Sequence, residues 1–253
     1  SARLVVAADG AHSLVRAAAG LGAQVEDYGQ VALVAHVAAS RPNDGTAYER
    51  FTPTGPLAVL PLHDGSYGVV WTLAPDAAEQ VLQWPDAQYL AALQQRFGWR
   101  AGRFLRVGKR SAYPLQLTRA SGTIAPRTVL IGNAAQALHP VAGQGFNLGL
   151  RDAATLAEVL AAARGDDAFD AGAAALLEQF AALRSADREG VTRFTDGLVR
   201  LFADERPGLG ALRNLGLLLF DLSPTAKSAL SRVSWGFAGR MPRLARGLGL
   251  GSP

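Results

Sequence analysis

The sequence predicts an α/β fold followed by a helical carboxy-terminal region. Three features carry that prediction. An apolar, β-branched run at Thr128–Ile131 ends on Gly132 and leads through a long turn into a helical pattern. Short β-rich runs between residues 31 and 73 are punctuated by turn residues. Long stretches of helical spacing follow Asp152.

The elements follow in order. Arg3–Arg16, RLVVAADGAHSLVR, reads as an apolar strand that runs into Asp9-Gly10. Val31–Ala39, Tyr48–Thr52, Leu57–Leu62 and Tyr67–Leu73 read as antiparallel strands, because Pro42-Asn43-Asp44-Gly45, Pro53-Thr54-Gly55-Pro56 and His63-Asp64-Gly65 supply the turn chemistry between them. Asp76–Phe97 has helical spacing interrupted near Trp84-Pro85, where proline removes a helix donor. Phe104–Leu117 returns to extended structure. Thr128–Ile131 suits a buried parallel strand, and Asn133–Gln144 a turn of small residues around His139 and Pro140. Phe146–Ala163 places Leu148, Ala154, Leu156, Val159 and Leu160 on one face of a helix. Ala171–Asp204 continues in helical spacing with Pro207-Gly208 as its stop. Leu209–Leu222 is strongly apolar but interrupted by Arg213, Asn214 and Asp221.

The start of the helix after the turn is the first candidate site. Gly143 and Gly145 bracket Gln144 there, so a ligand can approach the backbone closely. Unpaired N–H groups at a helix start carry a partial positive charge and favour an anion or a ring carbonyl gaining negative charge. A glycine-permitted strand-to-helix connection accounts for the same spacing. The series Gly143, Gly145, Gly149 is not the dinucleotide fingerprint, since its third glycine comes one place late.

Composition bounds the alternatives. The 253 residues suffice for a sizeable core, with 49% hydrophobic and 18% charged residues. Absence of cysteine excludes disulfides, thiolate nucleophiles and cysteine metal sites. His12, His36, His63 and His139 lack ligand spacing, so no metal is expected. No GxSxG elbow is present, which disfavours a hydrolase. The net charge of +4 reads as spread along the chain without an aromatic-interleaved basic cluster, and a nucleic-acid partner is not expected. The tail is the exception: from Leu222 onward Lys227, Arg232, Arg240, Arg243 and Arg246 have no acid among them. Leu209–Leu222 is too short for the ~20 residues that span a bilayer. It reads either as a core helix or subunit contact, or as one half of a peripheral contact with an anionic membrane whose other half is the basic tail.

Taken together, the Asp9-Gly10 … Ser13 … Arg16 block and the later GNAAQALHPVAGQGFNLGLRD block resemble the two FAD motifs of the flavoprotein aromatic monooxygenases. The second block is most similar to the ubiquinone-biosynthesis hydroxylases, on the 2-polyprenyl-6-methoxyphenol hydroxylase branch, with Asn133 where the superfamily usually has aspartate. The resemblance covers essentially the whole chain and is specific at those two blocks. It implies an α+β substrate domain inserted into a partial Rossmann-like FAD-binding domain: residues 1–27 and 123–165 for the FAD-binding parts, 28–122 for the substrate domain and 166–253 for the helical region. The family's GxGxxG segment does not occur here, so the chain is expected to be the carboxy-terminal portion of a longer enzyme.

What the resemblance implies for function is oxygenation of the ring of a polyprenylated phenol, with FAD, NAD(P)H and O2, through a flavin C4a-hydroperoxide. Gly143, Gln144, Gly145, Phe146 and Asn147 are expected to hold the flavin ring. Gly132 and Asn133 are expected by the ribitol and pyrophosphate, and Asp9 and Gly10 to support the pyrophosphate. Arg16 is expected either to bind FAD or NADPH phosphate or to act as a helix partner. His139 and Pro140 are expected where ring and substrate meet, His139 assisting phenol deprotonation or fixing the turn. Phe51, Tyr67, Trp71 and Tyr113 are candidates for a cavity wall, or simply for core. The remaining expectations are a cytoplasmic location, peripheral on the inner membrane face through the tail, and an oligomer or multi-enzyme complex. The alternatives are a substrate-binding or assembly module without redox chemistry, and a hydroxylase of another aromatic substrate.

Overall fold

The computed structural model describes residues 1–52, 54–165, 168–203, 209–234 and 239–250. Pro53, Asp204, Pro207 and Gly208, used above as turn and stop residues, lie outside them, as does part of the basic tail.

Along the chain run β1 (Val5–Ala7), α1 (Leu14–Ala18), β2 (Ala23–Ala39), β3 (Tyr48–Thr52), β4 (Gly55–Pro61), β5 (Tyr67–Leu73), α2 (Pro75–Gln83), α3 (Asp86–Phe97), β6 (Phe104–Val107) and β7 (Ser111–Ala120). They are followed by β8 (Ile124–Ala125), β9 (Thr128–Leu130), β10 (Gln136–Ala137), α4 (Gln144–Ala163), α5 (Ala174–Ala203), α6 (Leu209–Asp221) and α7 (Pro224–Ser234). Two compact units result, one built from Ser1–Glu26, Gln116–Leu198 and the carboxy-terminal residues, the other chiefly from Asp27–Leu115.

In the first unit β1 and β9 pair in parallel, with Val6 opposite Val129, and β8 adds an antiparallel edge. Parallel neighbours need a crossover, and here it runs through Asp27–Leu115 of the second unit. Leu156 and Val159 of α4 and Leu177 and Phe180 of α5 close over Val129, while Leu130 packs with Ala7, Ala134 and Ala135. The β1–β9 pair therefore carries at its ends the two turns that matter.

The second unit is an antiparallel sheet with two helices. The β3–β4–β5–β2 path is continuous, and β6 pairs with the end of β2. Leu33, Leu57, Val59, Val69 and Trp71 form its core with Val81 of α2 and Tyr89, Leu93 and Phe97 of α3. Pro75 opens α2, while Trp84 and Pro85 take extended conformations that separate the two helices.

Several boundaries differ from the sequence reading, four of them with a clear cause. β2 starts at Ala23, eight residues early, because its exposed first residues are held by backbone pairing, which leaves no hydrophobic period; Gly22 O accepts from Ser121 N at 2.9 Å. Gly108 to Arg110 split the long extended run into β6 and β7. β10 forms inside the expected turn by pairing with Thr118 and Arg119. α4 begins at Gln144, directly on Gly143.

Candidate functional site

After β1 the chain turns at Gly10, whose φ of +92° an L side chain rarely adopts. Ser13 caps α1 by accepting from Arg16 N at 2.9 Å, and Asp9 Oδ2 accepts from Val15 N at 3.1 Å. The Ser13 hydroxyl, then the Val15 amide, hold the Asp9 carboxyl below the usual carboxylate range. Asp9 is thus an exposed anion already engaged with the start of α1. Arg16 is 9% exposed and donates to Ala11 O at 2.8 Å and to Ala134 O at 2.9 Å. One guanidinium fork ties the first turn to the second. Both of these contacts are to backbone carbonyls of the protein itself.

The second turn follows β9. Gly132 takes φ +57°, and its amide donates to Asp152 Oδ2 at 3.0 Å. Gly149 of α4 faces it so closely that a Cβ there would lie 3.2 Å from Gly132 Cα. This is the task of a third motif glycine, close packing of helix on turn, at a spacing that differs from the dinucleotide fingerprint. Asn133 is exposed next to it.

His139 is 1% exposed, and its Nδ1 accepts from Val141 N at 3.1 Å. That bond fixes the neutral tautomer with the proton on Nε2. Burial pushes the imidazole down to about 4, so the ring is neutral at physiological pH. The bond to Val141 N joins the ring to the turn that leads to α4. Pro140 is exposed, but its carbonyl accepts from Gly143 N at 3.0 Å and so holds the approach to α4.

At the start of α4, Gly143 is left-handed with φ +61°, and no side chain caps the 20-residue helix. A Cβ built on Gly143 or Gly145 would meet nothing within 4 Å. Gln144 is fully buried and Asn147 half-buried, whereas Phe146 is 76% exposed with Leu150 exposed one turn later on the same face. The first turn of α4 offers open backbone beside an apolar ledge.

A buried ionic network behind this site escaped the sequence reading. Asp152 is fully buried, and its carboxylate accepts from Arg184 Nε at 2.7 Å and lies 3.2 Å from Arg188 Nη2 while holding the Gly132 amide. Asp187 joins Arg184 and Arg151, the latter at 2.6 Å. α5 thus reaches the turn through α4. The signal was the spacing Arg184, Asp187, Arg188 on one helical face, set against the Arg151-Asp152 pair.

Of the aromatic candidates in the second unit, Tyr67 and Trp71 are core residues at 2% exposure, Phe51 is half-buried and Tyr113 is exposed.

The profile of the FAD binding domain family matches residues 1–195. The chain is 41% identical over 252 residues to the ubiquinone hydroxylase UbiL of Rhodospirillum rubrum, covering 98% of this chain and 58% of the relative. It is 33% identical over 236 residues to the 3-demethoxyubiquinol 3-hydroxylase of Escherichia coli, covering 93% and 60%. The chain spans about three-fifths of the length of these curated relatives. Among solved structures, p-nitrophenol 4-monooxygenase PnpA of Pseudomonas putida shares the fold with a TM-score of 0.72 at 22% identity, covering 94% of this chain and 60% of that one. Both motif turns, the start of α4 and the buried network lie within the matched residues, and the chain belongs to the FAD binding domain family.

Proposed function

We propose that the protein is an FAD-dependent monooxygenase that hydroxylates the aromatic ring of a polyprenylated phenol in ubiquinone biosynthesis, with NAD(P)H as reductant and O2 as co-substrate. The observation that carries the reading is the Arg16 fork, which joins the Asp9-Gly10 turn to the turn that leads into α4. It holds two separately encoded motif turns next to each other, which supports a shared site. The names of the relatives, ubiquinone hydroxylase and 3-demethoxyubiquinol 3-hydroxylase, support the substrate class.

The residues fit the cofactor. Open space over Gly10, Gly143 and Gly145 leaves room for a flat group against the backbone, and any Cβ at Gly143 or Gly145 would project into it. Gly143, Gln144, Gly145, Phe146 and Asn147 would hold the flavin ring, with α4's first-turn amides facing its electron-rich edge. Gly132 and Asn133 would lie along the ribitol and pyrophosphate. Asn133 supplies hydrogen bonds without adding negative charge near the phosphates. Gly10 would sit by the pyrophosphate, with Asp9 keeping its turn in place. When bound, FAD supplies the electron transfer from NAD(P)H and the activation of oxygen.

The protein's own part is binding, orientation and exclusion of water. Arg16 and Asp152 fix the two turns; neutral His139 and the Pro140 carbonyl fix the connection to α4. Phe146 and Leu150 offer exposed apolar surface beside the first turn of α4. Membrane contact through the tail belongs to the same reading. Leu215, Leu217, Leu218, Leu219 and Leu222 are each about half exposed or more, and Lys227, Arg232, Arg240, Arg243 and Arg246 follow. No helix among the described residues is long and apolar enough to cross a membrane.

The test is NAD(P)H oxidation by the protein expressed from its complete gene, with a short-chain polyprenylated phenol and labelled O2. Label in the ring and stimulation by the phenol are expected. NAD(P)H oxidation unaffected by any prenylated phenol would reject the substrate class.

A further inference from the structure

A basic and aromatic patch in the second unit belongs to neither motif. Residues 96–110 read RFGWRAGRFLRVGKR, with six cations and no acid. The expectation of basic residues spread along the chain, without an aromatic-interleaved basic cluster, does not hold for this segment. Arg110 is committed: it reaches Asp86 at 3.1 Å and Trp84 O at 2.7 Å and lies over the Tyr89 ring. Arg96, Arg100, Arg103, Arg106 and Lys109 are exposed, with no ion pair among the described residues.

The same segment exposes two large apolar side chains, with Arg103 lining the groove beside them. Trp99 is 69% exposed and Leu105 is 55% exposed, and both line an open groove of about 670 Å3 between α3 and β6. Leu90 and Phe104 contribute to its apolar lining, and Arg103 to its edge.

The loop that presents Trp99 is pinned. Gln94 Nε2 donates to Gly98 O at 2.6 Å and to Gly102 O at 3.1 Å, and its Oε1 accepts from Phe104 N at 2.8 Å. Arg50 donates to Arg96 O at 3.0 Å and to Phe97 O. Five residues are thus held in a fixed turn with an indole outside the core. Ordering this loop on contact costs little, which favours binding through it.

We infer that this patch is a membrane-docking surface for an anionic phospholipid bilayer. Trp99 and Leu105 enter the interfacial region while Arg96, Arg100, Arg103, Arg106 and Lys109 face the phosphates. Tryptophan favours the headgroup level, and each nearby cation adds to the attraction to an anionic leaflet. A single exposed aromatic among aliphatic side chains makes a poor stacking platform for successive bases. The surface is distinct from the tail, and the inference holds whether or not the ring-hydroxylation reading is right.

Sedimentation of the protein expressed from its complete gene with phosphatidylcholine vesicles, with and without phosphatidylglycerol, tests it. Binding to the anionic vesicles is expected to weaken about fivefold for each cation neutralised. The triple variant R100E/R103E/R106E should then abolish binding, and Trp99→Ser should weaken it, with the melting temperature of both near that of the parent because the side chains are exposed. A variant with Lys227, Arg232 and Arg240 neutralised serves as the comparison and should retain more binding than the triple variant. Unchanged vesicle binding by the triple variant, loss of binding only in the tail variant, or tighter binding to an oligonucleotide than to anionic vesicles would each overturn the assignment.

Discussion

Replacing Asp152 by Asn removes the negative centre of the buried network while keeping the shape of the side chain. Arg151, Arg184 and Arg188 with Asp152 and Asp187 carry a net charge of +1; the substitution makes it +2 in a place where Arg184 is 1% exposed. Among the described residues Arg184 then keeps Asp187 as its charged partner, and Arg188 loses its 3.2 Å partner. Breaking a buried pair from one side costs about 3–5 kcal/mol, since the remaining charge stays desolvated. For a chain of this size that corresponds to a loss of roughly 6–20 °C in melting temperature. Asn can still accept from Gly132 N, so the turn is expected to survive where the protein folds. Urea denaturation of parent and D152N measures the cost, and D152A, R184A and the double variant measure the coupling, with the double less destabilised than the sum of the singles. A D152N loss below about 1 kcal/mol would refute the reasoning, because an ion pair at such burial cannot be that cheap to break.

His139 sets a pH dependence. Its imidazole sits at about 4 in the folded chain against 6.5 when free, so the unfolded chain binds more protons between those values and stability rises with pH across that window. Relative to a His139→Asn variant, whose amide oxygen can replace Nδ1, the parent should lose about 3 kcal/mol between pH 7 and 4, read by urea denaturation at each pH. Gly149→Ala sets helix propensity, a gain of about 1 kcal/mol, against a Cβ 3.2 Å from Gly132 Cα. The neighbour is backbone pinned by Asp152, so the clash should win by about 1–2 kcal/mol and flavin content should fall. Arg16→Met removes both carbonyl contacts and should cost about 2–4 kcal/mol, with Arg16→Lys, which lacks the fork, recovering less than half.

The elements whose apolar period is complete were legible in the sequence. β3 and β5 match their runs residue for residue, and the break at Trp84-Pro85 separates α2 from α3 because proline enforces it locally. The pair of FAD motifs was legible because glycines and Asp9 have backbone tasks that few residues can do. The first half of β2 was not, since its side chains are exposed and only its ladder holds it. Nor was the network, in which charged residues that read as solvated helix faces are buried by helices distant in sequence. The partners of Arg16 and His139 were not legible either, because the sequence does not say which carbonyl or amide each will meet; the structure pairs them with Ala134 O and Val141 N.

The central claim, that these two turns and the start of α4 hold FAD, is tested most directly by titrating FAD into the apo form of the protein expressed from its complete gene, alongside Gly145→Val. A Cβ at Gly145 meets nothing in the protein, so the variant should fold with an unchanged melting temperature. Its side chain should occupy the space the flavin ring needs, and flavin affinity should fall at least about a hundredfold, the ~3 kcal/mol typical of forcing extra carbons into a packed contact. Equal FAD affinity in parent and variant would contradict the account.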